Sequence, residues 1–260
     1  MPPAPAIQTL LTTVRERWGD GAMVRARNLD TVARDTALVP AETAHAHPLL
    51  APLRAYLRPG EIVEISGGAH SGKSSLALAL LAALLQAAGG ESGLAAYVDT
   101  PRTFYPPSAA ATGIDLRLLW VVRLRDWQAH LSAVDLLLRS GVFDAVLWDL
   151  VGQHRTLTGA HLQRLRMAAH AQGTTLLLLT RQPARPGYRA LDYGATLRLV
   201  VHRTERVWEQ LGAERLLAGY RLEIAIARAR GKPYLQPIKL TLPGSSPEAD
   251  DRRCPVSGAL

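Results

Sequence analysis

A short β-branched run, Ile62–Ser66, is joined to the strongly apolar stretch Lys73–Ala88 by Gly67-Gly68-Ala69-His70-Ser71-Gly72-Lys73-Ser74. No other feature constrains the fold as much. The junction satisfies G-x-x-x-x-G-K-[ST] and stands where a phosphate-binding loop must stand, between a strand and a helix. Its glycines let the backbone curl until successive amides aim at one anion, and the dipole of the helix starting near Lys73 adds positive potential. The loop is expected to cradle ATP with Mg²⁺. Gly67, Gly68, Ala69, His70, Ser71, Gly72, Lys73, Ser74 and Ser75 form the binding set. Lys73 bridges the β- and γ-phosphates, and the Ser74 hydroxyl ligates the metal.

A loop of this kind implies an alternating α/β chain, and the rest of the sequence alternates. Leu94–Asp99, Leu119–Val122, Ala145–Asp149 and Leu176–Thr180 read as buried strands. Asp126–Ser140 reads as a helix: Asp126 caps it, Trp127, Leu131, Val134 and Leu138 share a face, and Gly141 ends it. Gly159–Ala171 is a further helix. Continuous apolar strands alternating with helices predict a mainly parallel sheet covered by helices. Leu197–His202, Arg221–Arg228 and Pro237–Leu242 read as strands that extend the sheet edge. Before the loop, Ile7, Leu10, Leu11 and Val14 mark a short amphipathic helix, Ile7–Trp18, followed by a polar stretch to about Pro48. The organisation expected is a helix and linker over 1–48, a nucleotide-binding core over 49–242 and a disordered tail over 243–260.

A second acidic element should end a neighbouring strand and hold the metal's water shell. Asp149, closing Val146-Leu147-Trp148-Asp149, fits that role; the alternative is that it caps a turn. The net charge of +8 is uneven. Between Arg181 and Lys239 there are twelve Lys/Arg against five Asp/Glu, whereas the first 180 residues carry sixteen against fourteen. Concentrated positive charge suits a phosphate backbone, although a surface rich in arginine for other reasons gives the same count. The longest apolar stretch, Leu76–Leu85, is about half the roughly 20 residues of a membrane span, so no membrane partner is expected. A Pro-rich start without a secretory pattern and a single cysteine, Cys254, suit the cytoplasm. The histidines His45, His47, His154, His161 and His170 show no metal-ligand spacing.

The segment Arg58–Gly67 with the loop that follows resembles the bacterial RecA recombinases. So does Val14-Arg15-Glu16-Arg17-Trp18-Gly19-Asp20-Gly21-Ala22-Met23-Val24-Arg25, which is similar to the family's opening helix followed by F-G-K-G-x-x-M-R. The likeness continues through Tyr97-Val98-Asp99, Gly113-Ile114-Asp115, Phe143–Asp149 and Leu177–Gln182, over about residues 7–240. It implies a RecA-like P-loop NTPase core whose N-terminal helix contacts a neighbouring subunit, so self-association is expected. It also implies that Gln182 senses the γ-phosphate. Arg228 and Arg230 would reach a neighbour's nucleotide; equally, they are two outward positions on an edge strand. The loop Pro183–Leu191 carries Arg185, Tyr188 and Arg189, which suit single-stranded DNA by phosphate contact and base stacking, or form a plain exposed turn.

The sequence also departs from that family. Where the resemblance puts a catalytic glutamate stands Pro101, which cannot polarise a water. Where it puts an adenine-stacking aromatic stands Ser108. Asp99-Thr100-Pro101-Arg102 and Leu119–Arg123 resemble the ImuA-type proteins, RecA-related accessories to damage-induced translesion synthesis. The expected function is therefore a cytoplasmic, nucleoid-associated repair accessory with weak or absent ATPase, working with RecA or DNA-polymerase-type partners. Two alternatives stand beside it: a filament-forming, DNA-dependent ATPase in which Glu64 or Asp99 replaces the lost glutamate, and a partner-binding module with a vestigial site.

Overall fold

A computed structural model describes residues 4–29, 53, 56–87, 93–152, 157–181, 194–211, 214–229 and 237–243. Its strands are β1 (Met23–Arg25), β2 (Ile62–Gly67), β3 (Ala95–Asp99), β4 (Leu119–Val122), β5 (Ala145–Asp149), β6 (Thr175–Arg181), β7 (Leu197–Leu211), β8 (Glu214–Ala229) and β9 (Ile238–Pro243). Its α-helices are α1 (Ala4–Trp18), α2 (Lys73–Ala87), α3 (Pro106–Ala111), α4 (Trp127–Arg139) and α5 (Gly159–Gln172). The strands form one sheet in the order β1-β4-β3-β5-β6-β2-β7-β8-β9. The six from β4 to β7 run parallel, and antiparallel strands close both edges. This is the mainly parallel sheet that the alternation predicts.

Alternate side chains of each parallel strand feed two cores, since successive residues point to opposite faces. Val63, Ile65, Tyr97, Leu147, Leu177 and Leu179 join one core with α2. Ile62, Ala96, Val98, Val146, Trp148, Leu176 and Leu178 join the other, with α1, α4 and α5. Burial on both faces explains why these strands read as unbroken apolar runs. Helix α2 is apolar nearly all round because its flanks as well as its floor are covered; Leu76 to Ala82 are all buried. Asp126 caps α4 by accepting from the Ala129 amide at 2.8 Å, and Gly141 (φ 62°) follows its end. At α5, Thr158 and His161 form a reciprocal capping box, and Gly173 closes the helix in the left-handed region. No described helix is long and apolar enough to cross a membrane.

Four elements differ from expectation. Within the segment expected as helix and linker, β1 pairs antiparallel with β4, and α1 seats Leu10 and Val14 in the second core. These N-terminal residues thus belong to the same sheet and core as the rest. A six-residue helix, α3, starts at Pro106, where fixed φ suits a first turn. Strands β7 and β8 run to Leu211 and from Glu214, well beyond the expected His202 and Arg221. The described residues of their outer halves are exposed or half-buried apart from Gly219, so no apolar alternation marks them.

The fully buried Trp148 stacks on Trp127 with ring centroids 5.4 Å apart, and its indole N–H donates to Thr100 Oγ1 at 2.9 Å. Trp148→Ala is expected to lower stability by about 3–5 kcal/mol. Urea unfolding checks this: the midpoint should fall while the slope stays constant.

Candidate phosphate-binding site

Strand β2 ends at Gly67 and α2 begins at Lys73, so the loop bridges a strand end and a helix start. Its shape demands the two glycines of the motif. A Cβ on Gly67 would lie 2.4 Å from Ser71 Oγ and 2.8 Å from the Val201 carbonyl oxygen. Gly72 has φ +86° and would thrust a Cβ to 2.7 Å from Leu222. Gly68, by contrast, faces open space, and Ala69 and His70 beside it are exposed. His70 itself adopts φ 57°. Behind this mouth lies Lys73, mostly buried, its Nζ donating to the Gly68 carbonyl at 3.1 Å. Ser71 Oγ is buried without a hydrogen-bond partner among the described residues. Ser74 and Ser75 are exposed in the first turn of α2, where amides have no helical acceptor.

Strands β3 and β5, separated from β2 by β6, bring carboxylates to the same end of the sheet. Asp99 and Asp149 pair in register at the ends of β3 and β5. Asp149 accepts from the Val151 amide at 2.8 Å and from the Tyr97 hydroxyl at 3.1 Å. Burial raises its pKa above the usual carboxylate value, and the Asp99 charge adds to that; the Val151 and Tyr97 hydrogen bonds and Lys73 act in the opposite direction. Burial likewise lowers the Lys73 pKa, a shift that Asp149 offsets and Arg181 increases. Lys73 and Asp149 therefore sense one another electrostatically. Burial, followed by the Asp149 and Asp99 charges, pushes the Tyr97 hydroxyl well above its ordinary value, so it stays a donor.

Of the residues expected at the site, Gly67–Ser75 and Asp149 come together at the carboxyl ends of the parallel strands, the usual place for a ligand crevice in open α/β sheets. Arg228 does not join them. It lies opposite Arg198 near the start of β7, whereas the loop lies by Val201, about 10 Å further along the strand. Gln182, Arg185, Tyr188, Arg189 and Arg230 lie outside the described residues.

The two carboxylates expected to replace the missing glutamate are corrected by the structure. Asp99 is fully buried and its oxygens accept from the Thr103 and Phe104 amides and from Arg123 Nε at 2.8 Å. Glu64 points to the sheet face opposite α2, where it meets Thr180 Oγ1 at 2.7 Å and Arg198 Nε at 3.1 Å. Neither is placed to polarise a water. Tyr97 is the residue that the sequence reading missed. Its signal was a phenol in a buried strand, since a buried tyrosine hydroxyl finds a partner.

A triphosphate with Mg²⁺ fits this donor set. The glycine-shaped mouth is open, one hydroxyl inside it is unpartnered, a lysine and helix amides supply positive potential, and one carboxylate stands opposite. Strand, loop, helix and an acidic strand end at the same edge of the parallel sheet define an α/β protein of the P-loop class. Residues 6–159 match the RecA N-terminal domain, so the chain belongs to the RecA family. It is 25% identical to Protein RecA of Aquifex pyrophilus over 89% of this chain and 71% of that one. To Protein RecA of Rubrobacter xylanophilus it is 28% identical, over 76% of this chain and 64% of that one.

Tyr97→Phe keeps the ring and removes one donor to Asp149. A hydrogen bond to a charged acceptor contributes about 1.5–3 kcal/mol. It favours ionised Asp149, so its contribution is full above the raised Asp149 pKa and declines as pH falls through that value. Thermal melts of the metal-free protein should show a large loss at pH 8 and a smaller one near pH 4. Equal losses at both would point to packing instead.

Proposed function

We propose that this RecA-family chain is an ATP-binding DNA-repair accessory of the ImuA type, with weak or absent ATPase, acting in damage-induced translesion synthesis. The observation that carries this reading is an intact phosphate loop in a chain with Pro101 at the catalytic-glutamate position and Asp99 committed to its own loop amides and Arg123. Binding and hydrolysis are thereby separated. The loop amides, Lys73 and the α2 N-terminus would hold the β- and γ-phosphates, while Ser74 and Asp149 would hold the metal with its water shell. Bound Mg²⁺ would supply charge neutralisation to those phosphates. Without a placed base, a water beside the γ-phosphate is not activated.

In the same reading Gln182 senses the γ-phosphate, and Arg185, Tyr188 and Arg189 contact single-stranded DNA. Residues 49–242 carry the nucleotide site, and the outer side of α1, whose Leu10 and Val14 are buried in this chain's own core, serves self-association. The partners are RecA or a DNA polymerase, in the bacterial cytoplasm at the nucleoid. A second reading, a filament-forming ATPase, is favoured by Arg228: its distance from this chain's own loop suits a nucleotide held by a neighbouring copy, together with Arg230. Electron microscopy with ATP and single-stranded DNA separates the two, since only the second gives regular helical filaments.

Mg-ATP at 100 times its Kd should stabilise the protein by about 2.7 kcal/mol, read as a rise in melting temperature. Lys73→Ala should abolish that rise. ATP turnover should stay low with and without single-stranded DNA. Recombinase-like turnover would reject the accessory role, and no thermal shift with the wild-type chain would reject nucleotide binding altogether.

A further inference from the structure

Lys73 and Asp149 carry opposite charges at one end of the sheet and act on each other, yet among the described residues they form no ion pair. Lys73 Nζ donates instead to the neutral Gly68 carbonyl at 3.1 Å. Lys73 is 8% exposed and Asp149 is 4% exposed. In so dry a place opposite charges attract far more strongly than in water. Their separation therefore has a cause.

That cause lies in what holds the carboxylate. Asp149 Oδ1 accepts from the Val151 amide at 2.8 Å, within its own turn. Asp149 Oδ2 accepts from the Tyr97 hydroxyl at 3.1 Å, across the β3–β5 pairing. The amide alone leaves the second oxygen free to swing, whereas one donor on each oxygen fixes the carboxylate plane. Tyr97 is itself fixed. It is buried on β3, and its ring lies against that of Phe104, with centroids 4.5 Å apart and a tilt of 44°. The Phe104 amide is tied in turn to Asp99. Asp99 is engaged by Arg123 at 2.8 Å, and the carboxylate whose charge acts on Lys73 is Asp149. A buried phenol needs some acceptor, and a backbone carbonyl would satisfy it equally. Here it takes the oxygen that Lys73 would otherwise attract.

We propose that Tyr97 is a positioning residue of the phosphate site: by holding Asp149 Oδ2 it keeps the aspartate from pairing with Lys73 and leaves the ammonium group available to a triphosphate. The inference deepens the nucleotide-binding reading and rests on it. Without the phenol, Asp149 turns to Lys73, and a phosphate has to displace a carboxylate instead of a carbonyl. Apparent affinity then falls by the fraction of molecules in which the lysine stays free.

Isothermal titration calorimetry of the full chain with ATP in excess EDTA tests this without metal. If the paired form is favoured about tenfold, Tyr97→Phe should weaken ATP binding roughly tenfold. In an Asp149→Asn background the neutral amide cannot capture the lysine, so adding Tyr97→Phe should leave the affinity of that background unchanged. Both substitutions preserve side-chain shape, and melting temperatures above that of the assay check that the three variants are folded. A phenol with a purely structural role gives the same loss in both backgrounds. That result, or a Tyr97→Phe affinity equal to the parent's, overturns the proposal while nucleotide binding stands. Binding by the parent that appears only with Mg²⁺ overturns it too, since a free Lys73 holds phosphates without the metal. If the parent binds ATP under neither condition, both readings fall.

Discussion

The shape of the phosphate loop depends on two contacts that only glycine permits. Gly67 lets the loop's own Ser71 and the Val201 carbonyl come within reach of the end of β2, and Gly72 makes room for Leu222. The loop is thus held against β7 and β8 as much as by its own strand and helix. A side chain at either position would drive backbone against backbone or a left-handed residue against a buried leucine. The open mouth at Gly68 exists because the two ends beside it are pressed shut.

Behind the loop, charges are kept in a low-dielectric place by being shared. Lys73 has a carbonyl ligand and an electrostatic partner in Asp149, which has an amide and a phenol; Asp99 next to it has two amides and a guanidinium. Unpartnered buried charges are strongly disfavoured, so each carboxylate is satisfied locally before any ligand arrives. The difference between them lies in what satisfies them. Asp99 is committed to its own turn and to Arg123, whereas Asp149 is held by two neutral donors and retains a raised pKa that a nearby cation would relieve. This is a division of labour between two aspartates side by side in register.

Much of this was legible in the sequence wherever single residues dictate local geometry. The Ala145–Asp149 strand was read to the residue, Asp126 and Gly141 bracketed α4, and Gly67 and Gly72 marked the loop. What escaped has physical reasons. Strand β1 has three residues, too few to show a period, and exists through its pairing with β4. The outer halves of β7 and β8 carry no apolar alternation, so a hydrophobic reading ends β7 at His202. The Tyr97–Asp149 hydrogen bond joins residues 52 apart in the chain, and only the β3–β5 pairing brings them together. The resemblance to RecA supplied the family that the comparison bears out, and it located the proline at the missing glutamate; it gave no sign of the engaged state of Asp99 and Glu64.

The strand order carries a consequence for synthesis of the chain. Strand β2 leads into the loop early in the sequence, yet both strands that flank it, β6 and β7, come more than a hundred residues later. A nascent chain emerging from the ribosome can assemble β3, β4 and β5 while β2 still has two bare edges and its loop has neither Val201 nor Leu222 to lean on. Non-local pairing of this kind is slow, because loop closure must precede the contacts that reward it. The anion cradle is therefore among the last features to take shape, and it matures only once β7 and β8, which border it, have been made.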